Sequence, residues 1–115
     1  MKTTARTMAH LNKIGIFNDM VERYNQFTKQ RHDLFNIIDI IALYDDGIAG
    51  IQACGSDFAS HDRKILASDE SLAWIMAGGV LELWGWRMIK VKTKKGTKVD
   101  RWKPRIKRYS IQDFE

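Results

Sequence analysis

The chain has 115 residues, 44% of them hydrophobic, and a formal charge of +5, a size that fits one domain with a single core. Its lone cysteine, Cys54, excludes an internal disulfide and a multi-cysteine zinc site. No run approaches the ~20 apolar residues that cross a bilayer, and Met1 to His10 lacks an apolar signal core, so the expectation is a cytoplasmic protein whose Lys and Arg excess favours nucleic acid over a membrane surface.

From Thr4 to Ile14, Met8, Leu11 and Ile14 recur at helical spacing, and Gly15 supplies a stop. Ile16 to Tyr24 reads as a strand, ambiguous with helix, and polar Asn25 to His32 as an exposed loop carrying Lys29 and Arg31. Isoleucine-rich Phe35 to Leu43 and apolar Ile48 to Cys54 flank Asp46-Gly47 and predict a hairpin. Phe58 to Ala67 and Ser71 to Ala77 are helical, with Ser68 or Asp69 as a cap and Gly78-Gly79 as the end. Val80 to Trp84 returns to strand; Ile89 and Val91 alternate with Lys90 and Lys92, and after Lys95-Gly96 the chain from Val99 is extended again. Helix, strands, helices and strands in this order give an α/β protein.

Asp39 stands between Ile38 and Ile40 in a run apolar on both faces. A buried carboxylate must be protonated, paired with Lys or Arg, or bound to a cation. With Asp46-Gly47 as the loop, Asp39 faces Cys54 and lies diagonal to Gln52; a second register puts Asp39 opposite Gln52 with all three on one face, and a one-residue slip separates them. Gln52 fits either core hydrogen bonding or a metal role. Cys54 reads as a small buried hydrophobe.

The run Ile37-Ile38-Asp39-Ile40-Ile41-Ala42, a turn, and then Ile51-Gln52-Ala53-Cys54 resembles the second and third motifs of the PD-(D/E)xK nucleases, particularly archaeal-type Holliday junction resolvases and similar phage proteins. The resemblance covers roughly Gly15 to Gly79. It implies a restriction-endonuclease-like core, a central mixed sheet flanked by helices, here with a basic C-terminal β extension. It also implies Mg²⁺, with Mn²⁺ able to substitute, cleavage of DNA including branched forms, a homodimer, and the host cytoplasm if phage-encoded. Asp39 takes the place of the metal-binding Asp and Gln52 that of the Glu in the E-x-K tripeptide. Cys54 stands where the lysine is expected, and Lys64, on the following helix beside Arg63, is the candidate replacement. The acid that the family carries near its start has no counterpart from Met1 to Ile14; Glu22 or Asp33 would substitute. The alternative is a non-catalytic nucleic-acid-binding module.

His10, His32 and His61 show no close ligand spacing, which argues against zinc. The segment from Arg87 to Arg108 carries Arg87, Lys90, Lys92, Lys94, Lys95, Lys98, Arg101, Lys103, Arg105, Lys107 and Arg108, relieved only by Asp100. Such one-sided charge suits phosphate contact, with protection of a sheet edge as the plainer role. Lys29, Arg31 and Arg63 are further candidates for the nucleic-acid backbone. Trp84, Trp86 and Trp102 either stack on bases or, with Ile89, Val91 and Ile106, close the core.

Overall fold

A computed structural model of the chain describes residues 2–115. Helix α1 (Thr3–Lys13) leads into a short strand β1 (Asn18–Met20), a small hairpin of β2 (Arg23–Asn25) and β3 (Gln30–His32), and a larger hairpin of β4 (Ile40–Tyr44) and β5 (Gly47–Cys54). Helices α2 (Phe58–Leu66) and α3 (Asp69–Met76) cross to β6 (Val80–Lys92), which turns back as β7 (Lys98–Arg108) before a 3-10 turn at Ile111–Phe114.

The protein is α/β, with a mixed five-stranded sheet in the order β1-β4-β5-β6-β7 and helices on both faces. The β5–β6 pair is parallel and its neighbours antiparallel, as a crossover through α2 and α3 requires. Strand alternation sorts the core into two layers. Ile40, Ala42, Ala49, Ile51, Trp84 and Trp86 face Leu11 of α1. Leu81 and Leu83 face Phe58 and Ile65 of α2, with Trp74 of α3 packed beside them. Gly85 permits the second layer, because a Cβ there would collide with the Phe58 ring. Trp84 and Trp86 belong to the core, whereas Trp102 is 45% exposed under the Arg6 guanidinium.

Several element boundaries differ from the sequence expectation. The β4–β5 turn is Asp45-Asp46, with Tyr44 opposite Gly47, and not Asp46-Gly47; Gly47 accommodates φ +147° just after it. Phe35 to Ile38 forms a turn instead of a strand, with Phe35 and Asn36 at positive φ and Leu34 bridged to Ile38. Asp39 therefore sits just before β4 and not in mid-strand. The segment expected as one strand and a loop, Ile16 to His32, splits into β1 and the β2–β3 hairpin. Every residue of that hairpin is exposed, so no apolar period marked it. The final strand pair is also longer than read, because β6 continues unbroken from Val80 through the Lys-rich segment. No helix among the described residues is long and apolar enough to cross a membrane.

Candidate metal and nucleic-acid site

Register brings the site together at one end of the sheet. Ile40 lies opposite Ile51, so Asp39 is level with Gln52, and the Asp39 N–H donates to the Ile51 carbonyl at 2.9 Å. Asp39 is 6% and Gln52 2% exposed. The Ala53 N–H donates to Asp39 Oδ2 at 2.9 Å, and Gln52 Nε2 donates to Asp33 Oδ2 at 3.0 Å and more weakly to Asp39 Oδ2 at 3.5 Å. Asp33 enters from the turn before β4, with its carboxyl within hydrogen-bonding reach of Asp39.

Burial, and then the Asp33 carboxyl beside it, push Asp39 up to about 8, against the opposing pull of the Ala53 N–H and Gln52. No Lys or Arg answers either acid by an ion pair among the described residues. Gln52 Oε1 is buried without a hydrogen-bond partner. Carboxylate and amide oxygens are the donor types that a hard cation such as Mg²⁺ takes. Among the described residues no three His, Cys, Asp or Glu side chains converge as a metal cage.

The remaining candidates fall elsewhere. Glu22 pairs with Arg31 at 3.6 Å. Lys64 and Arg63 are exposed on α2, and His61, one turn earlier, meets Asp57 at 2.8 Å. Cys54 is buried, and that burial, then the negative charges of Asp57 and Asp39, push its thiol up to about 11, so it stays protonated at neutral pH.

The basic residues divide by face. Pairing of β6 with β7 and strand alternation put Arg87, Arg101, Lys103 and Arg105 on the side of the sheet that carries Gln52 and α2. Arg105 lies over the Phe58 ring of α2 at 4.0 Å. Lys90, Lys92 and Lys98 take the α1 side with Trp102, and Lys94 and Lys95 occupy the exposed turn between the strands. Pairing with β5 stops at Cys54 opposite Gly85, and from there Trp86 to Lys92 continues as a two-stranded ribbon with β7. This ribbon projects beyond the end of the sheet at which Asp39 and Gln52 lie. Lys29 sits in the turn of the β2–β3 hairpin, which leaves the sheet at that same end after Met20, opposite Ile40.

Glu82 went unnoticed in the sequence. It is 5% exposed on the α1 face, where it accepts hydrogen bonds from Tyr44 at 2.6 Å, Trp84 at 3.0 Å and Arg108 at 3.0 Å. Its place in line with Trp84 and Trp86 on alternate positions of one strand was the available signal. Compared with known protein families, curated proteins and solved structures, the chain matches none.

Proposed function

We propose that this chain is a metal-dependent deoxyribonuclease that cleaves DNA phosphodiester bonds, on a restriction-endonuclease-like core whose β6–β7 ribbon is a basic extension. The observation that carries the reading is the Asp33, Asp39 and Gln52 cluster, two acids without a cationic partner beside an unpartnered amide oxygen. Asp33 takes the role of the additional acid in preference to Glu22, which Arg31 engages.

Asp33 and Asp39 would hold Mg²⁺ or Mn²⁺ through their carboxylates, and Gln52, whose Nε2 faces both acids, would add Oε1 once its amide is turned over, a set with less charge than one containing Glu. When bound, the cation would polarise a phosphate and lower the pKa of a water. Arg87, Arg101, Lys103 and Arg105 hold the DNA backbone on one side of the site and Lys29 on the other. Lys64 and Arg63, on the helix that follows β5, steady phosphate charge in place of the lysine that Cys54 displaces. The hairpin and the ribbon leave the sheet on either side of the site, three to four strand spacings apart, about 14–19 Å. A two-fold homodimer would pair two such sites; light scattering at micromolar concentration that shows only monomer removes that element.

Cleavage of labelled duplex, flap and four-way-junction DNA with Mg²⁺, Mn²⁺ or EDTA tests the reading. Asp39→Ala is expected to lower the metal-dependent rate by roughly 100- to 1000-fold. A non-catalytic DNA-binding module is the second reading, favoured by the protonated Cys54 thiol at the lysine position. Tight, salt-sensitive binding with no cutting under any metal would establish it.

A further inference from the structure

The β2–β3 hairpin exposes aromatic surface that the fold does not use. Phe27 is 98% and Tyr24 57% exposed, although burying a large apolar side chain stabilises a fold. A two-stranded hairpin of three-residue strands is marginal by itself, so local stability does not account for aromatics turned away from the body. The tip is nonetheless held in shape. Asn25 Oδ1 accepts from the N–H groups of Phe27 and Thr28 at 2.9 and 3.3 Å, and Lys29, at φ +56°, donates its N–H to the Asn25 carbonyl at 2.8 Å.

Charge surrounds these rings. Residues 23 to 32 contain Arg23, Lys29 and Arg31 and no acidic residue, and Glu22 just before them engages Arg31 alone. An open depression of about 580 Å³ is lined by Arg23, Tyr24, Asn25, Gln26, Phe27 and His32. Both feet of the hairpin are fastened to the acid cluster: the Val21 N–H donates to the Asp39 carbonyl at 2.9 Å, and Asp33, the residue after His32, accepts from Gln52.

We infer that the hairpin is a base-stacking finger: Phe27 and Tyr24 take unpaired nucleobases on their ring faces while Arg23 and Lys29 hold the adjoining phosphates. Planar rings beside cations bind single-stranded nucleic acid without reading its sequence, since every base offers a π-face. Fastening at Val21 and Asp33 then sets the junction between unpaired and paired DNA next to Asp39. The inference rests on the nuclease reading for that consequence and deepens it, by naming a substrate with unpaired bases, as at a fork or flap.

Binding of the full chain in EDTA to a labelled single strand, a blunt duplex and a forked duplex separates the two ideas, because no cleavage is needed. Phe27→Ala is expected to weaken single-strand and fork binding by roughly 5- to 100-fold and duplex binding by less than about twofold, with the salt dependence unchanged. Phe27→Trp restores it. Lys29→Ala, by contrast, weakens all three DNAs and lowers the salt slope by about 1. Equal affinities of Phe27→Ala and the unaltered chain for the single strand overturn the inference, as does an equal loss on every DNA. A shift of Phe27→Ala from dimer to monomer with DNA binding intact overturns it also, and assigns the ring to a contact between copies. Absence of cleavage alone sinks the nuclease and leaves the finger standing.

Discussion

Asp39 and Glu82 are buried to the same degree, 6% and 5% exposed, on opposite faces of one sheet. Glu82 is answered on both oxygens: Tyr44 and Trp84 donate to Oε1, and Arg108 approaches Oε2 from Nε and Nη2, each at 3.0 Å. It ties β4, β6 and β7 together. Asp39 receives one short bond, from the Ala53 N–H, and faces a second carboxyl in place of a cation. Equal burial thus leaves one acid fully partnered and the other without a cation. A fold selected for stability alone gains nothing by setting Asp33 against Asp39, because the Asp33 carboxyl makes Asp39 harder to ionise.

Removing the satisfied acid tests the contrast most severely. Glu82→Ala leaves the Tyr44, Trp84 and Arg108 donors without their acceptor and is expected to lower the unfolding free energy by about 2–3 kcal/mol in urea melts. The value lies below that for a wholly buried pair because Arg108 is 48% exposed. A loss under about 0.5 kcal/mol would erase the distinction between the two faces.

Asp39→Asn runs the opposite way. The amide keeps an acceptor for the Ala53 N–H and can donate to Asp33, so the metal-free protein is expected to gain on the order of 1 kcal/mol near pH 8. Destabilisation by the same amount would mean that the carboxylate already has a stabilising partner.

The pH dependence tests the same carboxyl without a substitution. The folded chain holds the Asp39 proton up to about 8, whereas the ordinary value is 3.8. Between those limits the folded state carries a proton that the unfolded state has lost, so stability without metal falls as pH rises through the window and levels off above it. The Tm in EDTA should therefore decline between about pH 5 and pH 8 more steeply for the unaltered chain than for Asp39→Asn. Parallel declines refute the assignment to Asp39. Added Mg²⁺ should raise the Tm more at the upper end, where less proton must be displaced from the ligand.

Asp39 was legible because an acid between isoleucines has no ordinary explanation, and Gln52 because hairpin pairing fixes what lies across from it. Moving the turn from Asp46-Gly47 to Asp45-Asp46 changed the partner of Asp39 from Cys54 to Gln52 but not the face, since pairing shifts by two residues when a two-residue loop moves by one. Asp33 was named as a candidate without a geometric reason. Its approach goes with positive φ at Phe35 and Asn36, which Asn tolerates but Phe does not announce. Glu82 depends on Tyr44 and Arg108, 38 and 26 residues away, and local pattern carries no such information. The helices were clearer: Gly15 at φ +79° and Gly78 at φ +99° stop α1 and α3 much as their positions suggested.

The parallel pairing of β5 with β6 bears on the order in which the molecule assembles. The hairpin of β4 and β5 and the ribbon of β6 and β7 are each made of contacts local in sequence, whereas the seam between them closes a loop through α2 and α3. Loop closure makes that seam the late and entropically costly contact. Asp39 and Gln52 are set within the first hairpin and the cationic face within the second, so each half forms by local pairing and the two gain their mutual position last.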